Sequence, residues 1–238
     1  MNPFDQKTFA CRCEWGPAGH DALAPADVVI VVDVLSFSTC VDIAVSRGVA
    51  VLPCTWKDSS AMVFAEHHGA ELAGPRGGAR YSLSPASFLN APAGARCVLP
   101  SPNGAVLALR AATTRALVLA GCLRNAGAVA GTALRFGATF NVCPAGEQWS
   151  DGSLRPAVED WLAAGAILAR LPGARSPDAA AAVAAFEQAR PALAQVIAQA
   201  SSGRELIARG FERDVDLAAA FDVSSHVPRY DGVAFVDG

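Results

Sequence analysis

Four places along this chain end an apolar run in a carboxylate, hydroxyl, amide or thiol, and these are where chemistry could occur. The first is "ADVVIVVDVLSFSTC", where Val28 to Val32 lead into Asp33 and then Ser38 and Thr39. The second is "CVLPSPNGAVLALRAA", which passes through Ser101, Asn103 and Gly104. The third, "LVLAGCLRNAGAVA", carries Arg124 and Asn125 at its junction. In the fourth, Cys143 ends "FNVC" and a loop leads to Glu159 and Asp160 at the start of an apolar helical pattern. Asp33 with Glu159 or Asp160 would supply the hard oxygen ligands that Mg²⁺ takes, while hydroxyls and helix-starting N–H groups hold anions. That combination suits phosphoryl transfer better than hydride transfer.

Each feature also has a plain structural reading. Asp33 could bond its own turn, Ser38 or Thr39 could cap the helix behind it, and Asn125 is a good N-cap beside a solvated Arg124. Asn103-Gly104 suits an ordinary turn, and acids in a first helical turn complement the helix dipole. Adjacent helical residues point about 100° apart, so only one of Glu159 and Asp160 reaches a given spot directly. Several common chemistries are excluded. No G-x-G-x-x-G follows a strand, and G-x-x-x-x-G-K-[ST], G-x-S-x-G and H-E-x-x-H are absent. An aspartyl-phosphate D-x-D site is ruled out because Leu35 stands two after Asp33. His67 and His68 close a helix as surface residues do.

The elements that must position these residues alternate. A first strand near Thr8 to Glu14 is followed by strand–helix pairs: 28–34 with 39–47, 49–53 with 59–68, 96–99 with 105–112, 116–119 with 125–136, and 139–142 with 158–171. Repeated strand–helix units predict an α/β, three-layer α/β/α fold, its sheet mostly parallel (mixed) with helices on both faces. From Pro177 to Ala220 the chain is Ala-rich and helical, and Val233–Val236 reads as a last strand. The irregular "GPRGGARYSLSPASFLNAPAG" suits an active-site loop.

With 238 residues, 52% of them hydrophobic, and no composition break, a single domain over 1–238 is expected. A net charge of −3 without a long basic run argues against a nucleic-acid partner. No apolar stretch approaches the roughly 20 residues of a membrane span, and the start lacks a leader pattern, so a cytoplasmic protein is expected. Seven cysteines, an odd number, read as core thiols; the lone Cys11-x-Cys13 has no second pair of zinc spacing.

Taken in order, "VVDVLSFSTCV", "GPRGG", "SLSPASF", "SPNGAVLAL", "CLRNAGAVA", "VCPAG" with "VEDWLAAGAIL", and "ELIARGFERDVDLAAAFDVSSHVP" resemble the 2-phosphosulfolactate phosphatase family over most of the chain. No one of these motifs is specific, but their collinearity is. The resemblance implies a three-layer α/β/α homodimer that uses Mg²⁺ to hydrolyse a phosphate monoester of a small sulfonated hydroxy acid, a step in coenzyme M synthesis. It points to Asp33, Asn103, Gly104, Asn125, Cys143, Glu159 and Asp160. The roles expected are Mg²⁺ on Asp33 with Glu159 or Asp160, and phosphate on Asn103, Gly104, Ser38, Thr39 and Ser101. Arg76 or Arg124 would face the sulfonate or carboxylate, with Cys143 a thiol in the wall.

The chain departs from that pattern at three places. Ser36 stands where the family typically has arginine, Pro75 where it has glutamate, and Ser82-Leu83 where it has Gly-Asn before Ser-Pro. Losing a charge-assisted anion contact opens a second reading, a weakened member that binds a phosphorylated metabolite or a partner protein without turnover.

Overall fold

Residues Val28–Val32 form a strand with no exposed face. Val28, Ile30 and Val32 join one apolar layer while Val29 and Val31 join another, as an unalternating β-branched run requires. The computed structural model describes residues 2–55 and 59–238. In chain order the elements are β1 (Cys11–Cys13), α1 (Gly16–Ala22), β2 (Val28–Val32), α2 (Phe37–Ser46), β3 (Ala50–Cys54), α3 (Ser59–His67), β4 (Glu71–Leu72), β5 (Arg96–Pro100) and α4 (Gly104–Ala111). Then come β6 (Leu117–Gly121), α5 (Ala126–Phe136), β7 (Phe140–Pro144), β8 (Glu147–Gln148), β9 (Leu154–Arg155) and α6 (Val158–Leu168). The remainder is α7 (Pro177–Ala189), α8 (Leu193–Gln199), α9 (Ser201–Ala208), α10 (Glu212–Ala219), β10 (Pro228–Tyr230) and β11 (Phe235–Asp237).

Among the described residues, nine strands form one mixed sheet in the order β1-β7-β2-β6-β10-β11-β3-β5-β4. β1, β7, β2 and β6 run parallel to one another, and so do β3, β5 and β4. Between these halves lies the antiparallel β10–β11 hairpin, which pairs Arg229 with Leu119 and Phe235 with Val51. Following direction through the hairpin sets the two parallel halves antiparallel. The turn after β5 nonetheless meets the turn after β2, where Gly104 N donates to Asp33 Oδ2 at 2.8 Å.

Helices α5, α6 and α7 cover one face of β2, β6 and β7, and α2 and α4 cover the other. The expected mixed α/β/α layering is present. No described helix is long and apolar enough to cross a membrane, and all seven cysteines are buried. Two boundaries differ from the sequence reading for a physical reason. β2 stops at Val32 because the next two N–H groups leave the ladder: Asp33 donates to Ser38 Oγ and Val34 to Asp160 Oδ1. The last strand is the second arm of a hairpin inserted mid-sheet.

The hairpin is anchored by Phe235, which is buried and packs edge-on against Phe37 at 6.0 Å. Phe235→Ala is expected to cost about 3–5 kcal/mol of stability in a urea unfolding experiment. A loss below 1 kcal/mol would show that the hairpin does not hold the two halves together.

Candidate active site

Asp33 follows the odd-numbered side chains of β2 onto the face covered by α2 and α4. Its Oδ1 accepts from Phe37 N at 3.0 Å, and its Oδ2 accepts from Gly104 N at 2.8 Å. One carboxylate thereby receives the first N–H groups of two helices, where unpaired donors and the dipole favour negative charge. Position 104 must be glycine, since a Cβ there would stand 2.5 Å from Asp33 Oδ2 and 2.6 Å from the Phe37 ring. Burial still outweighs these bonds and raises the Asp33 pKa to about 6.

The carboxyl end of β7 brings the other acids. Asp160, in the first turn of α6, accepts from Val34 N at 2.7 Å and from Gly146 N at 2.9 Å, so it ties the turn after β2 to the turn after β7. Burial, then the charges of Asp33 and Glu159, push its pKa well above the usual carboxylate range. Glu159 is equally buried, at 2% exposure, yet its carboxylate makes no hydrogen bond among the described residues. The 100° between adjacent helical side chains has separated a clamp from an uncommitted acid.

A fourth carboxyl, Glu147, was not singled out in the sequence. It stands on the short β8–β9 hairpin, where Oε2 accepts from Asn103 Nδ2 at 2.9 Å. Burial first, then the charge of Asp33, raises its pKa to about 7. A lone glutamate in a loop carries no spacing signal, so only the fold could find it.

Arg76, from the 74–83 loop, donates to Ser36 Oγ at 3.0 Å and to the buried Asp214 at 2.8 Å. Asp214 in turn accepts from Ser84 Oγ at 2.6 Å and Ala86 N at 3.1 Å. A guanidinium therefore stands beside Ser36, the position where arginine was expected.

Other sequence candidates are placed differently. Ser38 Oγ donates to Val31 O and Thr39 Oγ1 to Val34 O, so both hydroxyls brace the strand–helix turn. Gly104 N–H, expected at phosphate, serves Asp33, and Ser101 Oγ accepts from Asn103 N. Asn125 satisfies its own turn through Cys122 N and Ala120 O. Arg124 is committed to buried Asp42 at 2.8 Å and to Leu217 O, tying α2 to α10. Cys143 pairs with Val31 in the sheet, with His20 Nδ1 4.0 Å from its sulfur; burial pushes the thiol up to about 12, which keeps it protonated.

Asp33, Glu147, Glu159 and Asp160 thus form one electrostatically coupled group. Among the described residues, no three Asp, Glu, His or Cys side chains converge as a closed metal cage. Mg²⁺ seldom needs one: it is usually held through one or two carboxylates, with water and substrate phosphate oxygens completing its shell. A buried glutamate without a donor, beside other carboxylates, fits that kind of site.

The family described as 2-phosphosulpholactate phosphatase matches residues 17–232. The chain belongs to the 2-phosphosulfolactate phosphatase family. The 2-phosphosulfolactate phosphatase of Methanothermobacter thermautotrophicus is 31% identical over 207 residues, covering 84% of this chain and 85% of its own. Probable 2-phosphosulfolactate phosphatases of Gloeobacter violaceus and Carboxydothermus hydrogenoformans are 29% and 30% identical, covering 85% and 84% of this chain and 88% and 84% of their own. The activity in these names is that of a phosphoric monoester hydrolase. In this chain the carboxylate group lies beyond the ends of β2 and β7, where α/β sheets build their ligand crevices.

Two outcomes check this geometry. Folded Glu147 holds its proton up to about pH 7, whereas the unfolded chain releases it near 4.5, so stability is lost as pH rises between those values. In chelator, Glu147→Gln should therefore match wild type near pH 4.5 and exceed it by up to about 3 kcal/mol above pH 7. Equal stabilities at both pH values would refute the burial assigned to this carboxyl. Gly104→Ala should lower the melting temperature and activity together by pushing α4 off Asp33, and a variant as stable as wild type would contradict the contact.

Proposed function

We propose that this chain is a Mg²⁺-dependent phosphatase of small anionic phosphate monoesters, with 2-phosphosulfolactate, the compound in its relatives' names, as reference substrate. The observation that carries the reading is Glu159, a buried residue whose carboxylate has no hydrogen-bond donor among the described residues, set beside Asp33 and Asp160. Glu159 would hold the metal together with Asp33, through the lone pairs that the Phe37 and Gly104 bonds leave, while Asp160 positions the two turns. When bound there, Mg²⁺ polarises phosphoryl oxygens and lowers the pKa of bound water.

The chain's own groups supply the rest. Asn103 Nδ2 would face the phosphoryl oxygens, where a preorganised donor favours charge developing in the transition state, and the Arg76 guanidinium would face the substrate's second acidic group. Glu147, titrating near neutrality at its Oε atoms, holds a proton that the leaving oxygen needs. Asp160 and Ser38 keep the acids in place. A cytoplasmic homodimer acting in coenzyme M synthesis belongs to this reading by resemblance. The alternative of binding without turnover draws on the missing arginine at Ser36 and the missing glutamate at Pro75; against it stand the retained Asp33 and Glu159-Asp160, and Arg76 sets a guanidinium beside Ser36.

The test is phosphate release from 2-phosphosulfolactate and a panel of small monoesters, with Mg²⁺ and then with chelator. Release should stop in chelator and fall by at least roughly a hundredfold in Asp33→Asn and Glu159→Gln, on the scale of removing one electrostatic group from an active site. Release that survives chelator, or that is unchanged in both variants, would overturn the assignment.

A further inference from the structure

A cavity of about 630 Å³ opens between the 74–83 loop, the carboxyl end of β5 and the end of α9. Two of its lining residues connect it to the turns of the candidate site. Arg76 reaches Ser36 Oγ in the turn that carries Asp33, and Pro100 immediately precedes the Ser101–Gly104 turn. Its floor is apolar, built on Leu72, Leu83 and Leu99.

Two guanidinium groups line this cavity, and both lie against one aromatic ring. Arg76 Cζ is 5.6 Å and Arg209 Cζ 5.8 Å from the centre of Phe211. Bringing two like charges to one ring is unfavourable unless negative charge arrives between them. Arg76 already has Asp214. Among the described residues, Arg209 pairs with Glu205, in an exposed i,i+4 pair at 3.2 Å, the kind of surface ion pair that contributes little. Its guanidinium is therefore free to take a better partner, and no feature assigned to the phosphate uses it.

We propose that this cavity is the subsite for the alcohol portion of the substrate, and that Arg209, with Arg76, clamps an acidic group carried there on an apolar stem. The substrate class is then a phosphate monoester of a hydroxy acid whose carbon chain reaches the leucine floor, longer than a three-carbon lactate skeleton. The proposal rests on the phosphatase reading and adds to it a residue, Arg209, that neither the motifs nor the resemblance singled out.

The experiment compares kcat/KM for phosphate esters of 2-hydroxy acids of three to six carbons with kcat/KM for phenyl phosphate, a monoester without a second acid. Arg209→Gln should reduce the ratio of acidic to neutral ester by roughly 10–100-fold, the loss of one charge-assisted contact. Arg204→Gln removes the same charge from the same helix without lining the cavity, and should leave that ratio at its wild-type value. In wild type, kcat/KM should rise roughly three- to fourfold per added methylene until the floor is covered. A ratio unchanged in Arg209→Gln, or equally lowered in Arg204→Gln, overturns the clamp, and preference for the shortest acid overturns the apolar stem. Calorimetric binding of the dephosphorylated hydroxy acids to wild type and Arg209→Gln separates the two levels. Acid binding that depends on Arg209, without turnover of any ester, keeps the subsite and rejects the phosphatase; turnover with Arg209-independent binding does the reverse.

Discussion

One carboxylate placed where two helices begin organises this molecule. Asp33 ends β2 in the first parallel half of the sheet, yet it receives N–H groups from α2, its own successor, and from α4, which follows β5 in the second half. Helix starts supply partial positive charge to an acid at this point, each contributing typically 0.3–1 kcal/mol. That support does not make ionisation easy in a buried place, as the elevated pKa of Asp33 shows. The acid is thus fixed in position while its charge is left incompletely compensated, which is the condition under which a cation completes a site.

Neighbouring acids divide the remaining work by direction. Asp160 turns toward backbone donors and holds two loops at fixed separation; Glu159, one residue earlier, faces its fellow carboxylates with no donor. A parallel exchange occurs among the cations. Arg124 is buried with Asp42 as a structural tie, whereas Arg76 extends from a loop to stand beside Ser36. Arg76 thereby places positive charge beside the turn that carries Asp33.

The sequence made the layering legible because unalternating apolar runs have few other uses, and β2 behaves as its residues require. Asp33, Glu159 and Asp160 were visible for the same reason, being acids at the ends of such runs. Hydroxyls and amides carried two readings: Ser38, Thr39 and Asn125 are as suited to bracing a turn as to holding a ligand, and the hydrogen bonds they make here brace the turn. Glu147 and Arg209 were illegible because their meaning comes from what packs beside them, Asn103 in one case and Phe211 in the other. The short β10 strand escaped notice since three residues offer no periodicity to read.

That late hairpin has a kinetic consequence. The strands of the first half pair across long stretches of chain, Cys11 with Phe140 and Val28 with Leu117, and the sheet joins the two halves through Arg229 with Leu119 and Phe235 with Val51. Pairings between residues so far apart close large loops, and such contacts form slowly. The bond from Gly104 to Asp33 spans the same junction, so the geometry around Asp33 is settled when the halves dock, after most helix content exists. On dilution from denaturant, ellipticity is expected to return ahead of activity.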